Sequence, residues 1–484
     1  MHTIEKIGGT SMSNYVSVRD NIILQPQNTY KHLYQRVFVV SAYGGITDKL
    51  LEHKKNGRPG IFALFFNSIE DKSWMDALEQ LRDEMHTINI SLFGQNLPDN
   101  KQLLSEANHF IDERLNGARD SLIHLYHLCL HGHFALEAHL ETVREMLSSI
   151  GEAHSAWNTA RLLQRDGVNA CYVDLTGWST NQHVPLDERI HKAFRKLDLT
   201  KQLPIVTGYA HSEDGLMSSF DRGYSEMTFS RIAVLTKASE AIIHKEFHLS
   251  SADPRIVGEE NAVPIGRTNY DVADQLANLG MEAIHPKAAK GLRQHNIQLR
   301  VKNTFEPEHA GTLITCDYVS ETPCVEIIAG SKSVYALELF DQNMAGLLHE
   351  YDQAILSIIK RFKAHIISKD VNANTITHYL NTNLKTIKRI ESVLKQQLEE
   401  AEFNQQKVAI VSAIGSDMNI HGILAKAVQS VAKRNISVLA IHQSMRQVEM
   451  QFVVNESDYD ETIRSLHSTL VEIHDHGQAI CLAS

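Results

Sequence analysis

Short runs of apolar residues alternate with helical stripes along the first part of the chain. Residues 37–42 (VFVVSA) form a continuous apolar run ending in small residues. A parallel strand buried on both faces reads this way. Tyr43-Gly44-Gly45 follows as a strand exit. Residues 170–174 and 203–207 repeat the strand pattern. Between them the period changes: Leu78, Leu81, Met85 and Ile88, then Leu136, Leu140, Val143 and Leu147, stand three or four positions apart. That spacing predicts a helical region from about 60 to 150. The stretch 231–241 also reads as helix. Strands alternating with helices predict a parallel or mixed α/β sheet.

The rhythm changes near 310–325, where Gly311-Thr312-Leu313-Ile314 closes the α/β pattern. Beyond it, 408–413 reads as strand, and Ile420, Ile423, Leu424, Ala427, Val428 and Val431 as a helix stripe. Residues 438–441 and the alternating Val448, Met450 and Phe452 predict two strands; Tyr459, Ile463, Leu466 and Leu470 predict a helix. That βαββα order is the ferredoxin-like plan. A weaker copy precedes it, with a strand from Val325 and Ile327, a helix over 347–362, strands at 365–368 and 375–380, and a helix over 384–398. Residues 478–482 would add a last strand to either copy. The expected division is a catalytic α/β domain over 1–315, a first ferredoxin-like domain over 320–405 with 471–484, and a second over 406–470.

Composition narrows the function classes. The 484 residues are 43% hydrophobic and 22% charged, as in ordinary globular chains. Lys and Arg total 47 against 58 Asp and Glu, a net charge of -11 with no basic block. A general nucleic-acid binder needs the opposite balance. No apolar run approaches the ~18 residues that span a bilayer, and the opening MHTIEKIGGTS lacks the basic and apolar regions of a secretion signal. The five cysteines are scattered and never form a CxxC pair, which predicts a reducing cytoplasmic setting without a disulfide framework or zinc site. The 27 histidines show no metal-ligand spacing supported by carboxylates, so no metal site is expected.

Several short constellations carry chemistry. Lys6-Ile7-Gly8-Gly9-Thr10-Ser11 joins a short strand to a turn whose backbone amides can converge on an anion, with Lys6 as a point charge. The competing reading is a glycine turn capped by Ser at a helix start. Ser41 to Asp48 is a second strand exit with hydroxyls at Ser41 and Thr47, and ligands in open α/β sheets sit beyond the carboxyl ends of strands. Glu152, just after Gly151, reads either as a carboxylate at a helix N-terminus or as a counter-charge for a substrate ammonium. Arg222, after Thr207-Gly208-Tyr209, is the residue type best shaped to hold a carboxylate. Ser225 and Glu226 would open the helix that follows. Asp253-Pro254-Arg255 and His285-Pro286 read as turns.

Taken in order, these pieces resemble the aspartate kinases of the amino-acid kinase superfamily. KIGGTS (6–11) is similar to the family's KFGGTS, VVSAYGGITDKL (39–50) to VVSAxxGxTDxL, and SIGEAHS (149–155) to SxGExxS. PIVTGY (204–209), SFDRGYSE (219–226), ADPR (252–255), QLANLGMEAIHP (275–286) and VKNTFEPEHAGTLI (301–314) continue the series, and NISVLAIHQS (435–444) resembles a segment of the family's second ACT domain. EKIGGTSMS and HKEFHLSSADP look most like the members associated with ectoine synthesis. The resemblance implies an α/β/α sandwich of the amino-acid-kinase type followed by two ferredoxin-like (βαββαβ) ACT domains. It implies transfer of the γ-phosphoryl of ATP, with Mg2+, to the β-carboxylate of L-aspartate.

The same resemblance implies residue roles. Lys6 and Glu226 would be catalytic. Gly8, Gly9, Thr10, Ser11, Lys245 and Arg255 would join Lys6 in holding the nucleotide. Ser41, Thr47, Glu152, Tyr209, Arg222 and Ser225 would form the aspartate site, with Arg222 on the α-carboxylate and Glu152 on the ammonium. Met344, Gly346, Ser368 and Asn435 would mark regulatory loops for a lysine or threonine effector, in a homodimer or higher homo-oligomer. Three departures stand out. Glu226 replaces the family's Asp, and Tyr224 replaces a Gly and is expected to crowd its loop. In the nucleotide tract, Lys245 and Ser250 replace an Asp and a Tyr, while Glu282 replaces a Lys. A Lys lost at 282 and gained at 245 reads as a compensating swap. The runner-up reading is an amino-acid sensor with a degenerate kinase domain, and a kinase for an N-acetylated glutamate is the third.

Overall fold

The computed structural model describes all residues except 25–32, 54–56, 68–71, 95–97, 132, 179–183, 221–222, 282 and 472–484. The chain folds into two units. One contains Met1–His248 and Ile284–Cys316, the other Leu249–Ala283 and Asp317–Ser484.

The first unit is built on β1 (Thr3–Ile7), β2 (Arg36–Val40), β3 (Ala170–Val173), β4 (Leu203–Thr207), β5 (Glu240–Lys245), β7 (Gln298–Asn303) and β8 (Thr312–Thr315); β6 (Arg267–Asn269) lies in the second unit. These strands run side by side in the order β3-β4-β2-β1-β5-β7-β8. All are parallel except β8, which pairs antiparallel with β7. β2 and β4 are buried at every position, which is why they read as unbroken apolar runs. One buried ionic network ties three strands. Arg36 on β2 donates to Glu5 on β1 through Nε at 2.7 Å and Nη2 at 2.9 Å, and to the carbonyls of Ile22 and Ile23. His244 on β5 meets the other side of the same carboxylate at 2.9 Å. With every partner satisfied, a slip of β1 against β2 or β5 would strand a buried charge.

The helix Leu140–Arg165 packs on β2, β3 and β4, and Tyr224–Thr236 packs on β1, β2 and β5. The helices Ser73–Phe93 and Pro98–Cys129 pack on each other, and Pro98–Cys129 also packs on Leu140–Arg165. Two expectations are corrected here. The stretch 231–241 is not one helix: the chain leaves the helix at Lys237, whose φ is 55°, and Glu240 onward is β5. Nor does Glu152 begin a helix. It sits in the interior of Leu140–Arg165, because Gly151 serves close approach. A Cβ there would lie 2.8 Å from Ala42 Cβ and 3.0 Å from Ile46 Cγ2.

The second unit contains both βαββα repeats. The first is β9 (Ile327–Phe340), helix Leu348–Arg361, β10 (His365–Val371), β11 (Thr375–Asn381) and helix Leu384–Gln397. The second is β12 (Glu402–Ile414), helix Ile423–Lys433, β13 (Val438–Gln443), β14 (Glu449–Asn455) and helix Tyr459–Leu470. They share one sheet, β10-β11-β9-β12-β14-β13, with β9 and β12 antiparallel at its centre. Both central strands are longer than their apolar stretches predict. The polar start of β12 (EFNQQK) is strand because β9 lies beside it. The expected last strand at 478–482 lies outside the described residues.

Alternate residues of the central strands face two cores. Leu337 and Leu339 meet the helices of the first repeat, and Val411, Phe452 and Val454 meet those of the second. On the other face, Ile327, Ala329, Val408, Ile410 and Val453 are covered by Ile265, Val272, Leu276 and Leu279. That contact groups 249–283 with the C-terminal unit, whereas the sequence division counts it within 1–315. Among the described residues no helix is long and apolar enough to cross a membrane.

Candidate active site

In a parallel sheet the carboxyl ends of neighbouring strands lie together. β1 there delivers Lys6 and the Gly8-Gly9 turn, β2 delivers Ser41, β4 leads to Tyr209, and β5 ends on Lys245. Gly9 lets the first two exits touch, since a Cβ on it would come within 2.5 Å of the Ala42 carbonyl oxygen.

Lys6 Nζ donates to Glu226 Oε1 at 3.1 Å, and both side chains are largely buried. The His285 amide donates to Glu226 Oε2 at 2.5 Å. Burial pushes the Glu226 carboxyl up, but the charges of Lys6 and Lys245 and the bonds from His285 and Lys6 outweigh it. The carboxyl is held below its ordinary range. Glu226 is therefore held as an anion beside Lys6.

Glu152 is the opposite case. Burial raises its pKa to about 8, against the pull of Lys6, the Tyr224 hydroxyl and the amides of Tyr209 and Ala42. Its Oε2 is buried and has no hydrogen-bond partner among the described residues. A proton-holding carboxyl with one open oxygen can receive an ammonium.

Ser11, fully buried at the glycine turn, donates from N at 3.0 Å and from Oγ at 3.1 Å to Glu246 Oε1. Its hydroxyl also lies 3.1 Å from Thr304 Oγ1. The turn thus holds a carboxylate, so its donors suit an anion.

The other expected residues divide. Ser225 is buried in the first turn of its helix, and Thr47 is half-buried in the short helix Ile46–Leu50. Thr10 is exposed. The Ser41 carbonyl accepts a bond from Ser155 Oγ at 2.7 Å. The Tyr209 hydroxyl donates to Glu145 at 2.5 Å, so it is the Tyr209 amide that serves Glu152. Arg255 belongs to the second unit, where its exposed guanidinium is paired with Asp253 at 2.6 Å. Arg222 and Glu282 lie outside the described residues, while Lys245 acts on Glu226 by charge. Of the regulatory positions, Met344 is buried in the core of the first repeat, and Gly346 and Asn435 are exposed turns with φ of 85° and 56°. Ser368 lines a cavity of about 540 Å³ with Gln275, Asn278, His442, Glu449 and Gln451.

Sequence reasoning missed three participants. Tyr224 opens the helix Tyr224–Thr236. It is buried, meets Tyr209 edge-on at 5.7 Å and bonds Glu152. His285 and Glu246 act through a backbone amide and a side chain that no spacing advertises.

Comparison with known proteins gives the family. The amino acid kinase family model matches residues 1–303, and an ACT domain model matches 411–470. Aspartate kinase Ask_Ect of Stutzerimonas stutzeri is 52% identical over 483 residues, covering 100% of both chains. Aspartokinase of Candida albicans is 23% identical, over 97% of this chain and 90% of its own. The structure of E. coli aspartokinase III in complex with lysine and aspartate superposes with a TM-score of 0.70 at 19% identity, over 97% of this chain and 99% of that one, and shares its fold. The chain belongs to the amino acid kinase family and, within it, to the aspartate kinases.

Proposed function

We propose that the chain transfers the γ-phosphoryl of ATP to the β-carboxylate of L-aspartate, giving 4-phospho-L-aspartate and ADP. The observation that carries this is the buried Lys6–Glu226 pair beside a proton-holding Glu152 at the strand ends, in a chain 52% identical throughout to an aspartate kinase. A β-carboxylate oxygen attacks the γ-phosphorus as the bond to the β-phosphate oxygen breaks. Such transfer needs alignment and charge neutralisation more than covalent help.

The residues divide that work. Lys6 neutralises the transferring phosphoryl, and Glu226 keeps Lys6 aimed. The Gly8-Gly9 turn and Ser11 present amide and hydroxyl donors to phosphate oxygens. Glu152 receives the aspartate ammonium and gives up its proton as it does so. Arg222 holds the α-carboxylate, while Ser41, Thr47 and Ser225 line the remainder. Mg2+ would neutralise phosphate charge. Among the described residues no three carboxylate, imidazole or thiol groups converge on one point, so phosphates and waters would carry the ion.

The ACT match and the resemblance to ectoine-associated enzymes support a pathway-dedicated kinase whose second unit answers to an amino acid, with weak inhibition by lysine. Among the described residues β10 and β13 are the edges of their sheet, which supports a homo-oligomer. A hydroxamate assay with ATP, Mg2+ and aspartate tests the reading. Turnover that vanishes in Arg222→Ala is expected; binding of aspartate without turnover would favour a sensor instead.

A further inference from the structure

The glycine turn offers its donors to a residue of the chain itself. Glu246 Oε1 takes both the amide and the hydroxyl of Ser11, at 3.0 Å and 3.1 Å, and lies 3.7 Å from where a Cβ on Gly8 would stand. Two donors on one carboxylate oxygen make a charge-assisted contact. Glu246 follows β5 directly, and successive side chains at a strand end point to opposite sides. Lys245 accordingly reaches Glu226 by charge, and Glu246 reaches Ser11.

A phosphate oxygen cannot share the point that Glu246 Oε1 occupies, and two anions there repel. We propose that Glu246 is an internal occupant of the phosphate cradle and a specificity residue: it bars simple anions and yields only to a nucleotide, whose other contacts offset its displacement. This rests on the reading that the turn from Gly8 to Ser11 holds phosphate oxygens. Inorganic phosphate brings nothing beyond the contact that Glu246 already makes. A nucleotide also brings its ribose, base and further phosphates. The cradle is thereby kept satisfied without a ligand, and orthophosphate does not compete with ATP.

Calorimetry on the full chain tests this, with inorganic phosphate and with metal-free ADP as probes. Glu246→Ala and Glu246→Gln should each bind phosphate at least about tenfold more tightly than the parent, since a hydrogen-bonded charge no longer competes. ADP should tighten as well. Adding Ser11→Ala to Glu246→Ala should cut the gain by taking away the hydroxyl donor while the amide remains, which a merely structural role for Glu246 would not produce. The glutamine variant keeps the side-chain shape and guards against misfolding of the alanine variant. Phosphate binding that is unchanged or weaker in a folded Glu246→Gln protein would overturn the proposal. Failure of the kinase reading looks different: the parent would give no hydroxamate even though the phosphate gain appeared.

Discussion

Glu152 and Glu226 are both buried acids near Lys6, yet their protonation differs. Glu226 has two ammonium groups and a backbone amide against it, while Glu152 has burial as its dominant influence. The ligand-free Glu152 carboxyl therefore holds its proton up to about pH 8. A substrate ammonium favours the ionised form, so aspartate binding at pH 7 should release close to one proton. Calorimetry in buffers of different ionisation enthalpy should report that release, and affinity should rise with pH toward 8 and then level. Glu152→Gln should abolish the proton release and weaken aspartate binding by roughly 30-fold or more, the ~2 kcal/mol or greater cost of losing one partner of a buried charge pair. Lys6→Ala should lower kcat by about 10²-fold or more, and Glu226→Gln should lower it by leaving Lys6 without its anion. Lys6, Glu152 and Glu226 could be picked out in the sequence because their motifs are short and collinear. Tyr224 could not, because its value comes from two loops that meet only in the fold.

At the scale of elements, glycine misleads when it is taken for a break. Gly151 lies inside a helix that continues to Arg165. Its role is to let that helix approach Ala42 and Ile46, which brings Glu152 to the strand ends. Gly151→Ala should cost about 1–3 kcal/mol through overpacking, read by chemical denaturation, and should weaken aspartate binding more than nucleotide binding. The error over 231–241 has a related cause. The apolar end of the helix and the apolar run of β5 are separated by only the short stretch Thr236 to Glu240 (TKASE), and the left-handed turn at Lys237 inside it divides them.

At the scale of the whole molecule, the second unit is more than two tandem repeats. One face of its shared sheet is completed by Val272, Leu276 and Leu279, which come from within the stretch expected to belong to the catalytic domain. Leu276→Ala should destabilise that face by about 2–5 kcal/mol. Hydrogen exchange should show protection lost in the helix Tyr270–Asn278 and in β9 and β12. The edge strands lead to one further expectation: the purified protein should sediment as a dimer or larger species, and polar-to-proline changes on β10 should shift it toward monomer.

The sequence by itself determined several strands of the first unit, the two βαββα repeats and the family, because strand and helix periods and collinear motifs are local properties of the chain. It also marked Lys6, Glu152 and Glu226, with Arg222, Lys245 and Arg255, as candidate charged residues of a site. Only the tertiary structure decided which acid holds a proton, since that depends on burial and on charges brought in from distant segments. Only the fold, likewise, set Glu246 against Ser11 and placed 249–283 with the sheet of the second unit. Both contacts join residues far apart in sequence, and no local pattern records where such residues will meet.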